Sequence, residues 1–553
     1  MLNLKKMRII KLGYSKYLII YLFLYLIFQI NHIVKAGTTW DDLKLVETTP
    51  RIIHKFNLFF IDPTNGFLSE FVSNFEFYGY LVLIPAYLFS KSEIVRNLFF
   101  YIFTDLFSIN ILNNQDFEYI LRHIFLSIYV IFSLFIIFKI YTKISDEKRA
   151  LQFIIIFSLI PLFSGHSLFN LKDVPFMIQS FIAGLFFIDY LVNFNKVKNY
   201  QFMMPGFFFG LLLLIRFNGI AIMAIYFLFS FLYLNKDLHV IKKNVLNLFS
   251  IFAVSLFVLF LGTPSAWQKP RLWIEKTIET QFNLYWDSYI LTNGKYIFAM
   301  DIDPMYLLTW LNFRLPVVFH IFFIFSIYLF IRSYMIKRFE FSILFIFSLF
   351  FICFIVISFM ILRPIAYDGI RQYLFLIPFF AVVAVECMNY LKIDDYKKNI
   401  IFLTSIFYLL FTSTGLGPYR YVYFNELTNE KNITIDCDEI GGCGDWQTDY
   451  WGYSGKSLIN NINENFEGKV YLCTPEHVFS TYINNDKIEI ISDFKDVEEE
   501  FFLAYLHRPM LKNDTCGFKE RNLTFKCSNF ITEETSLRNN RINLSYIDKC
   551  IKS

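Results

Sequence analysis

The sequence predicts an all-α polytopic membrane domain of about eleven transmembrane helices, followed by a smaller extracytoplasmic α/β domain. Three observations predict it. Of 553 residues, 56% are apolar and 18% charged, against roughly 25% charged in a typical soluble protein. The apolar residues fall in blocks such as LIIYLFLYLIF (18–28) and FSILFIFSLFFICFIVISFMIL (341–362), and about 20 such residues cross a bilayer. The charge is also unevenly divided. Residues 417–553 carry 15 Lys and Arg against 22 Asp and Glu, a net of −7, which leaves +11 for residues 1–416. The chain therefore divides into a membrane domain, 1–416, and a polar domain, 417–553. The many Phe, Ile, Asn and Lys residues fit an A+T-rich coding sequence, so Phe content alone marks no site.

Lys5, Lys6, Arg8, Lys11 and Lys16 precede the first apolar run, which lacks a small-residue cleavage site. It reads as an uncleaved anchor with a cytoplasmic N-terminus. An outer loop, 36–116, follows. Within it GYLVLIPAYLF (79–89) is too short to span and carries Pro85, and SEIVRNLFFYIFTDLF (92–107) is amphipathic. Both are expected as helices on or dipping into the outer interface; a crossing by 79–89 would invert everything after it. Ten further apolar runs lie at about 117–141, 150–168, 174–194, 203–216, 219–235, 245–263, 315–334, 341–362, 372–390 and 400–416. The basic connections TKISDEKR (142–149), NFNKVKNY (193–200), NKDLHVIKK (235–243), RSYMIKRF (332–339) and LKIDDYKKN (391–399) then fall inside. The loop 264–314 and the tail fall outside. Positive charge in short inner clusters, with no continuous stripe, argues against a nucleic-acid partner.

Six of eight cysteines (Cys437, Cys443, Cys473, Cys516, Cys527, Cys550) lie in the tail. Outside the cytoplasm they allow three disulfides, with fifteen pairings; zinc is disfavoured because no CxxC pair or His cluster accompanies them. Asn432, Asn513, Asn522 and Asn543 begin N-x-S/T sequons, compatible with the endoplasmic reticulum but no argument for it in so Asn-rich a chain. A bacterial inner membrane is the favoured location.

Four polar stretches reach the outer side: GTTWDDLKL with Asp41 and Asp42, HSLFNLKDVPFM (166–177), RFNG (216–219) and RPIAYDGIRQYLF (363–375). Transporters place ionisable residues in mid-span, whereas here the mid-spans are nearly free of them. The pattern suits an enzyme acting at the outer interface on a lipid-linked substrate.

These residues resemble the GT-C class of polytopic glycosyltransferases, in particular the family of protein O-mannosyltransferases, bacterial aminoarabinose transferase and RgtA/B/C/D-like enzymes. That class carries an acidic pair, usually Asp-Glu, just after the first span and another acid in the next outer loop; Asp41-Asp42 and Asp173 match those positions. KDVPF, YDGIRQ and the YRYVYFNEL…DWQTDYWGYS stretch (419–454) are similar to bacterial members, and the resemblance covers most of 1–455. Asp42 stands where Glu is usual, so either Asp41 or Asp42 is open as the catalytic acid. The resemblance implies a polyprenyl-phosphate sugar donor, a lipid, glycan or protein acceptor, and a metal-independent reaction without cofactor.

Chemically, sugar transfer with inversion needs a carboxylate to take the acceptor proton and cations for the leaving phosphate. Asp41 is the expected base, with Asp42 as fallback and Asp173 orienting a substrate. Lys172, Arg216 and Arg371 are candidates for the donor phosphate, and Tyr367 and Asp368 for substrate binding. Asp301-x-Asp303 could hold a divalent ion, but the triplet is common. Plainer readings also exist: solvated acids at Asp41-Asp42, an N-cap at Asp173 with Pro175 in the first turn, and snorkelling at Arg216 and Arg371. His54, His123 and His166 read as loop or packing residues. The aromatic stretches 281–289 and 444–454 read first as an interfacial belt. The alternative function is a transporter or flippase of a lipid-linked sugar; a third is a membrane-anchored partner presenting its Cys-rich tail.

Overall fold

Hydrocarbon offers the backbone no hydrogen bonds, so an apolar run must satisfy its own as helix. In the computed structural model, which describes residues 6–61, 80–106, 109, 111, 113–194, 202–234, 237–267, 269–282, 286, 289–336, 341–429, 433, 444–463, 466–491, 500–507 and 525–552, every one of the eleven runs is helical. Helices α1 (Lys6–Ile33), α2 (Trp40–Ile61), α3 (Tyr80–Lys91) and α4 (Glu93–Tyr101) lead into α5 (Asn114–Ile144), α6 (Glu147–Leu159), α7 (Pro161–His166), α8 (Asp173–Val192), α9 (Met203–Ile215), α10 (Gly219–Tyr233) and α11 (Leu238–Leu261). After α12 (Pro270–Phe282) and a hairpin of β1 (Tyr289–Thr292) and β2 (Lys295–Phe298) come α13 (Tyr306–Arg314), α14 (Val317–Met335), α15 (Ile343–Leu362), α16 (Ile377–Tyr390) and α17 (Asp395–Thr412).

Among the described residues seven helical stretches are each long and apolar enough to cross a membrane, and shorter apolar helices, α3, α9 and α10 among them, accompany them, in keeping with a polytopic bundle. Pro161 divides the run 150–168 between α6 and α7. Helices α9 and α10 have 13 and 15 residues, about 20 and 22 Å of rise, short of a ~30 Å hydrocarbon core. Helix α8 is the hub, packed against α5, α9, α10 and α16. Gly184 lets Tyr226 of α10 lie against α8, where any Cβ would overlap the phenol ring.

Polar links fix which helix ends share a face. Asp42 at the start of α2 meets His123 near the start of α5, and Asp41 meets Lys172 at the start of α8. Asp116, also at the start of α5, pairs with Lys456 of the tail at 3.1 Å. The starts of α2 and α5 thus lie together and beside Lys456 of the tail. Helix α3, which contains that segment, packs against α5 and α9. Helix α4 buries no residue, and Ile94, Leu98 and Tyr101 stand exposed at i, i+4 and i+7, one apolar side.

The tail folds as a mixed five-stranded sheet in the order β4-β3-β5-β7-β6: β3 (Gly468–Leu472), β4 (Ile488–Ile491), β5 (Glu500–Leu506), β6 (Phe525–Leu537) and β7 (Asn540–Lys552). β3 is parallel to β4 and β5, whereas β7 is antiparallel to β5 and β6. Helices α18 (Gly455–Asn463) and α19 (His477–Ser480) cover one side with Leu458, Ile459, Ile462, Val478 and Phe479. The β6–β7 turn places Arg538 and Asn539 at φ 47° and 72°, the left-handed pair of a tight hairpin. Its tip reaches the segment that follows α17: Arg538 donates to the Phe424 and Asn425 carbonyls at 2.7 and 3.0 Å. A disulfide joins Cys527 to Cys550 across this hairpin, and Cys473 is also disulfide-bonded. Cys437, Cys443 and Cys516, and the sequon residues Asn432, Asn513 and Asn522, lie outside the described residues; Asn543 is on β7.

Candidate active site

The acidic pair occupies the first turn of α2, where carboxylates complement the helix dipole. Thr39 precedes the helix and Asp42 is its third residue, the spacing of a capping box. Asp42 Oδ2 accepts from the Thr39 backbone N–H at 2.7 Å, the Thr39 hydroxyl at 2.8 Å and the Thr38 hydroxyl at 3.1 Å, and lies 3.2 Å from His123 Nε2. Burial pushes this carboxyl up, but the His123 charge and the Thr39 donors outweigh it and hold Asp42 at about 2.

Asp41 lies about 100° further back around the helix, with Oδ2 2.8 Å from Lys172 Nζ. Unlike Asp42 it keeps an opening to solvent, its side chain 16% exposed. Burial pushes it up, and Asp173 adds to that; the Lys172 and Arg371 charges pull harder and leave it below its ordinary value.

Asn170 organises the start of α8. Its side-chain carbonyl accepts from the backbone N–H groups of Lys172 at 3.2 Å and Asp173 at 2.8 Å, and its amide donates to Asp173 Oδ2 at 2.9 Å. Asn170 therefore takes the capping part that the sequence offered to Asp173, and Asp173 becomes the first helical residue. The other Asp173 oxygen accepts from Arg216, which follows α9. Arg216 and Arg371 are turned onto carboxylates and rings, which replaces the snorkelling reading.

The segment before α16 holds the third pair. Asp368 and Gly369 adopt φ 55° and 70°, a left-handed turn that brings Gly369 against Trp310, where a Cβ would lie 3.1 Å from the ring. Asp368 is buried, 3.4 Å from Arg371. The Arg371 guanidinium lies 4.7 Å from the ring centres of both Tyr367 and Trp451, a planar cation held between aromatic faces. Tyr367 stacks in turn on Trp286 at 4.3 Å.

The tail completes the enclosure. Asp449 accepts from the backbone N–H groups of Gly452, Tyr453 and Ser454 and from the Tyr421 hydroxyl, so the DYWGYS turn is built around one buried carboxylate. Burial nevertheless raises its pKa. Trp446, Tyr450, Trp451 and Tyr453 are all buried, which corrects the expectation of an interfacial belt: the tail covers rings that a membrane surface would otherwise face. His166 is buried between Asn170, 3.3 Å away, and Tyr450, 3.5 Å away; His123 holds Asp42, and His54 is exposed. Arg314 is also buried, its guanidinium 4.5 Å from the Phe424 ring centre and donating to the Tyr421 carbonyl; burial lowers it to about 10.

Asp41, Lys172, Asp173, Arg216, Tyr367, Asp368 and Arg371 thus come together at one end of the bundle, while Asp42 is enclosed beside them. Asn170, His166, Tyr450, Trp451 and Arg314 join the site without having been singled out as functional. Asn170 had the one local signal, a capping residue three positions before Asp173. Asp301 and Asp303 are exposed, and Asp303 accepts from the Met305 backbone N–H at 2.6 Å in the turn before α13. No group of three or more metal-ligating side chains occurs among the described residues.

No protein-family model matches the sequence, and no curated protein matches it. Solved structures show distant likenesses. ArnT from Cupriavidus metallidurans bound to undecaprenyl phosphate is similar over 96% of this chain and 98% of its own, with 10% identity and a TM-score of 0.46. The archaeal oligosaccharyltransferase AglB from Archaeoglobus fulgidus, in complex with an inhibitory peptide and a dolichol-phosphate, is similar over 86% of this chain and 64% of its own, with 10% identity and a TM-score of 0.42.

Proposed function

We propose that this chain is a membrane glycosyltransferase of the GT-C type that moves a sugar from a polyprenyl phosphate to a lipid, glycan or protein acceptor at the extracytoplasmic face. One observation supports the reading above all: carboxylates and cations alternate at a single end of the helix bundle, Asp41 with Lys172, Asp173 with Arg216 and Asp368 with Arg371. A site at helix ends suits a headgroup whose lipid chain stays in the bilayer, whereas transporter sites lie near mid-span.

In the proposed reaction an acceptor hydroxyl or amine attacks the anomeric carbon while the bond from that carbon to the phosphate oxygen breaks. The bonding pair leaves with the polyprenyl phosphate, and configuration inverts. Asp41 takes the acceptor proton. Arg371, Arg216 and Lys172 face the charge that gathers on the phosphate; each is already held by a carboxylate, so little reorganisation precedes transfer. Asp173 and Asp368 orient those cations. Asp42, closed by its own donors, is assigned to holding the start of α2.

The test is Asp41→Asn, assayed in membranes for transfer of label from polyprenyl-phosphate sugars with expression confirmed. Transfer should fall by about 10²–10⁴; activity retained by Asp41→Asn, and again by Asp41→Asn with Asp42→Asn, would sink the assignment.

A further inference from the structure

We propose that the C-terminal domain is a working part of the active centre, in which His477 and Tyr482 hold the backbone at Thr38 and Thr39 and so place Asp41. This rests on the reading of Asp41 as the base. Helix α1 ends at Ile33 and α2 begins at Trp40, and the tail holds the link between them at Val34 and at each residue from Gly37 to Trp40. Lys456 Nζ reaches the Val34 carbonyl at 3.3 Å while also pairing with Asp116. The Gly37 N–H donates to the Tyr453 carbonyl at 3.1 Å and the Trp40 N–H to the Trp451 carbonyl at 2.8 Å. Between those backbone contacts stand two side chains. The Tyr482 hydroxyl accepts from the Thr38 N–H at 2.6 Å, and His477 Nε2 donates to the Thr39 carbonyl at 2.8 Å.

The two contacts bracket the N-cap of α2, two residues from Asp41. A shift of about 1 Å in a reacting group can cost on the order of 10²-fold in rate, so loosening this cap should reach the chemistry without touching the donor. His477 and Tyr482 are therefore positioning residues, since each acts through the Thr38–Thr39 backbone.

The experiment uses the full chain in membranes. His477→Ala, His477→Gln, Tyr482→Phe and Asp41→Asn are compared for transfer of label from polyprenyl-phosphate sugars extracted from the expressing cells. Binding of undecaprenyl phosphate and the half-life of the folded protein are measured beside it. His477→Ala and Tyr482→Phe should each lower kcat about tenfold or more, with KM for donor and undecaprenyl-phosphate binding unchanged within about twofold. His477→Gln, whose amide donates to the same carbonyl, should recover most of kcat. Wild-type kcat in His477→Ala and Tyr482→Phe, with Asp41→Asn inactive, overturns the proposal and leaves the base standing. Loss that follows folded-protein half-life and is not recovered by His477→Gln also overturns it. Transfer that survives Asp41→Asn removes the underlying reading, and the proposal with it.

Discussion

Asp42→Asn separates the two members of the acidic pair. The substitution keeps the side chain's shape and one carbonyl acceptor but removes the negative charge that His123 and three donors from Thr38 and Thr39 surround. A carboxyl held at about 2 in the folded chain against 3.8 ordinarily carries, at roughly 1.4 kcal/mol per pKa unit, about 2 kcal/mol of stability. A hydrogen bond to a charged acceptor, worth about 1.5–3 kcal/mol, is of the same size. Because the folded value lies below the unfolded one, this stabilisation is complete above about pH 4 and is lost as pH falls through about 2.

A polytopic chain in detergent unfolds irreversibly, so the measurement is the half-life of folded protein at a fixed elevated temperature. About 2 kcal/mol shortens it up to ~30-fold when the contact is already broken in the unfolding transition state. In Asp42→Asn the half-life should also depend less steeply on pH between about 4 and 2, the share that Asp42 carries being gone. Transfer per folded molecule should fall about tenfold, through the Thr38–Thr39 cap that Asp42 shares with His477 and Tyr482, well short of the loss in Asp41→Asn. Asp41→Asn should show the reverse weighting, a half-life shortened less than in Asp42→Asn, through loss of the Lys172 pair, and transfer reduced by about 10²–10⁴. An Asp42→Asn protein as durable as wild type but inactive would refute the division of labour between the two acids.

Lys172→Met removes the cation nearest Asp41, so the Asp41 carboxyl should rise; the acid limb of kcat/KM should move to higher pH and its plateau fall about 10–100-fold in a pH–rate profile. Arg371→Lys keeps the charge but loses the planar group held between Tyr367 and Trp451, and transfer should fall about 10²-fold with folding intact by size-exclusion chromatography. At the opposite end of α16, Glu386 is buried and accepts from Arg149 and Tyr141 at 3.0 Å each. Arg149→Ala strands that carboxylate, and the folded half-life should shorten by the equivalent of about 3 kcal/mol with transfer per folded molecule unchanged. The acids of the site are balanced by side-chain cations, so transfer in membranes washed with EDTA should equal that in untreated membranes.

The helices were legible because an apolar run in a bilayer has one way to satisfy its backbone. Their lengths were less so: α9 and α10 are shortened by Arg216, Asn218 and Gly219, polar and small residues that end one helix and start the next. Counting crossings put the loops of Asp41, Lys172, Asp173 and Arg216 on one face, but which carboxylate meets which cation depends on side-chain packing that no spacing encodes. Asp42 could have been separated from Asp41 by local rules alone, since Thr39 three residues before an acid at a helix start is a capping box. The Asn170 cap was legible in the same way. The contacts of His477 and Tyr482 were not, because they join residues 438 and 444 positions apart, and neither end carries a pattern that names the other.

The aromatic stretch 444–454 marks where composition misleads in a physically informative way. Tyr and Trp favour a boundary between apolar and polar surroundings, and a membrane surface and a docked domain both provide one. Here the domain provides it: Trp451 lies on Arg371, and the Tyr453 and Trp451 carbonyls accept from the Gly37 and Trp40 N–H groups at the entry to α2, which carries Asp41. Under the covering domain the ion pairs beneath are largely buried, where a lower effective dielectric strengthens charge–charge interactions over their value in bulk solvent. Charges that would be weak steering groups on an open membrane surface become strong, fixed dipoles under that cover, the condition that the proposed stabilisation of a leaving phosphate requires.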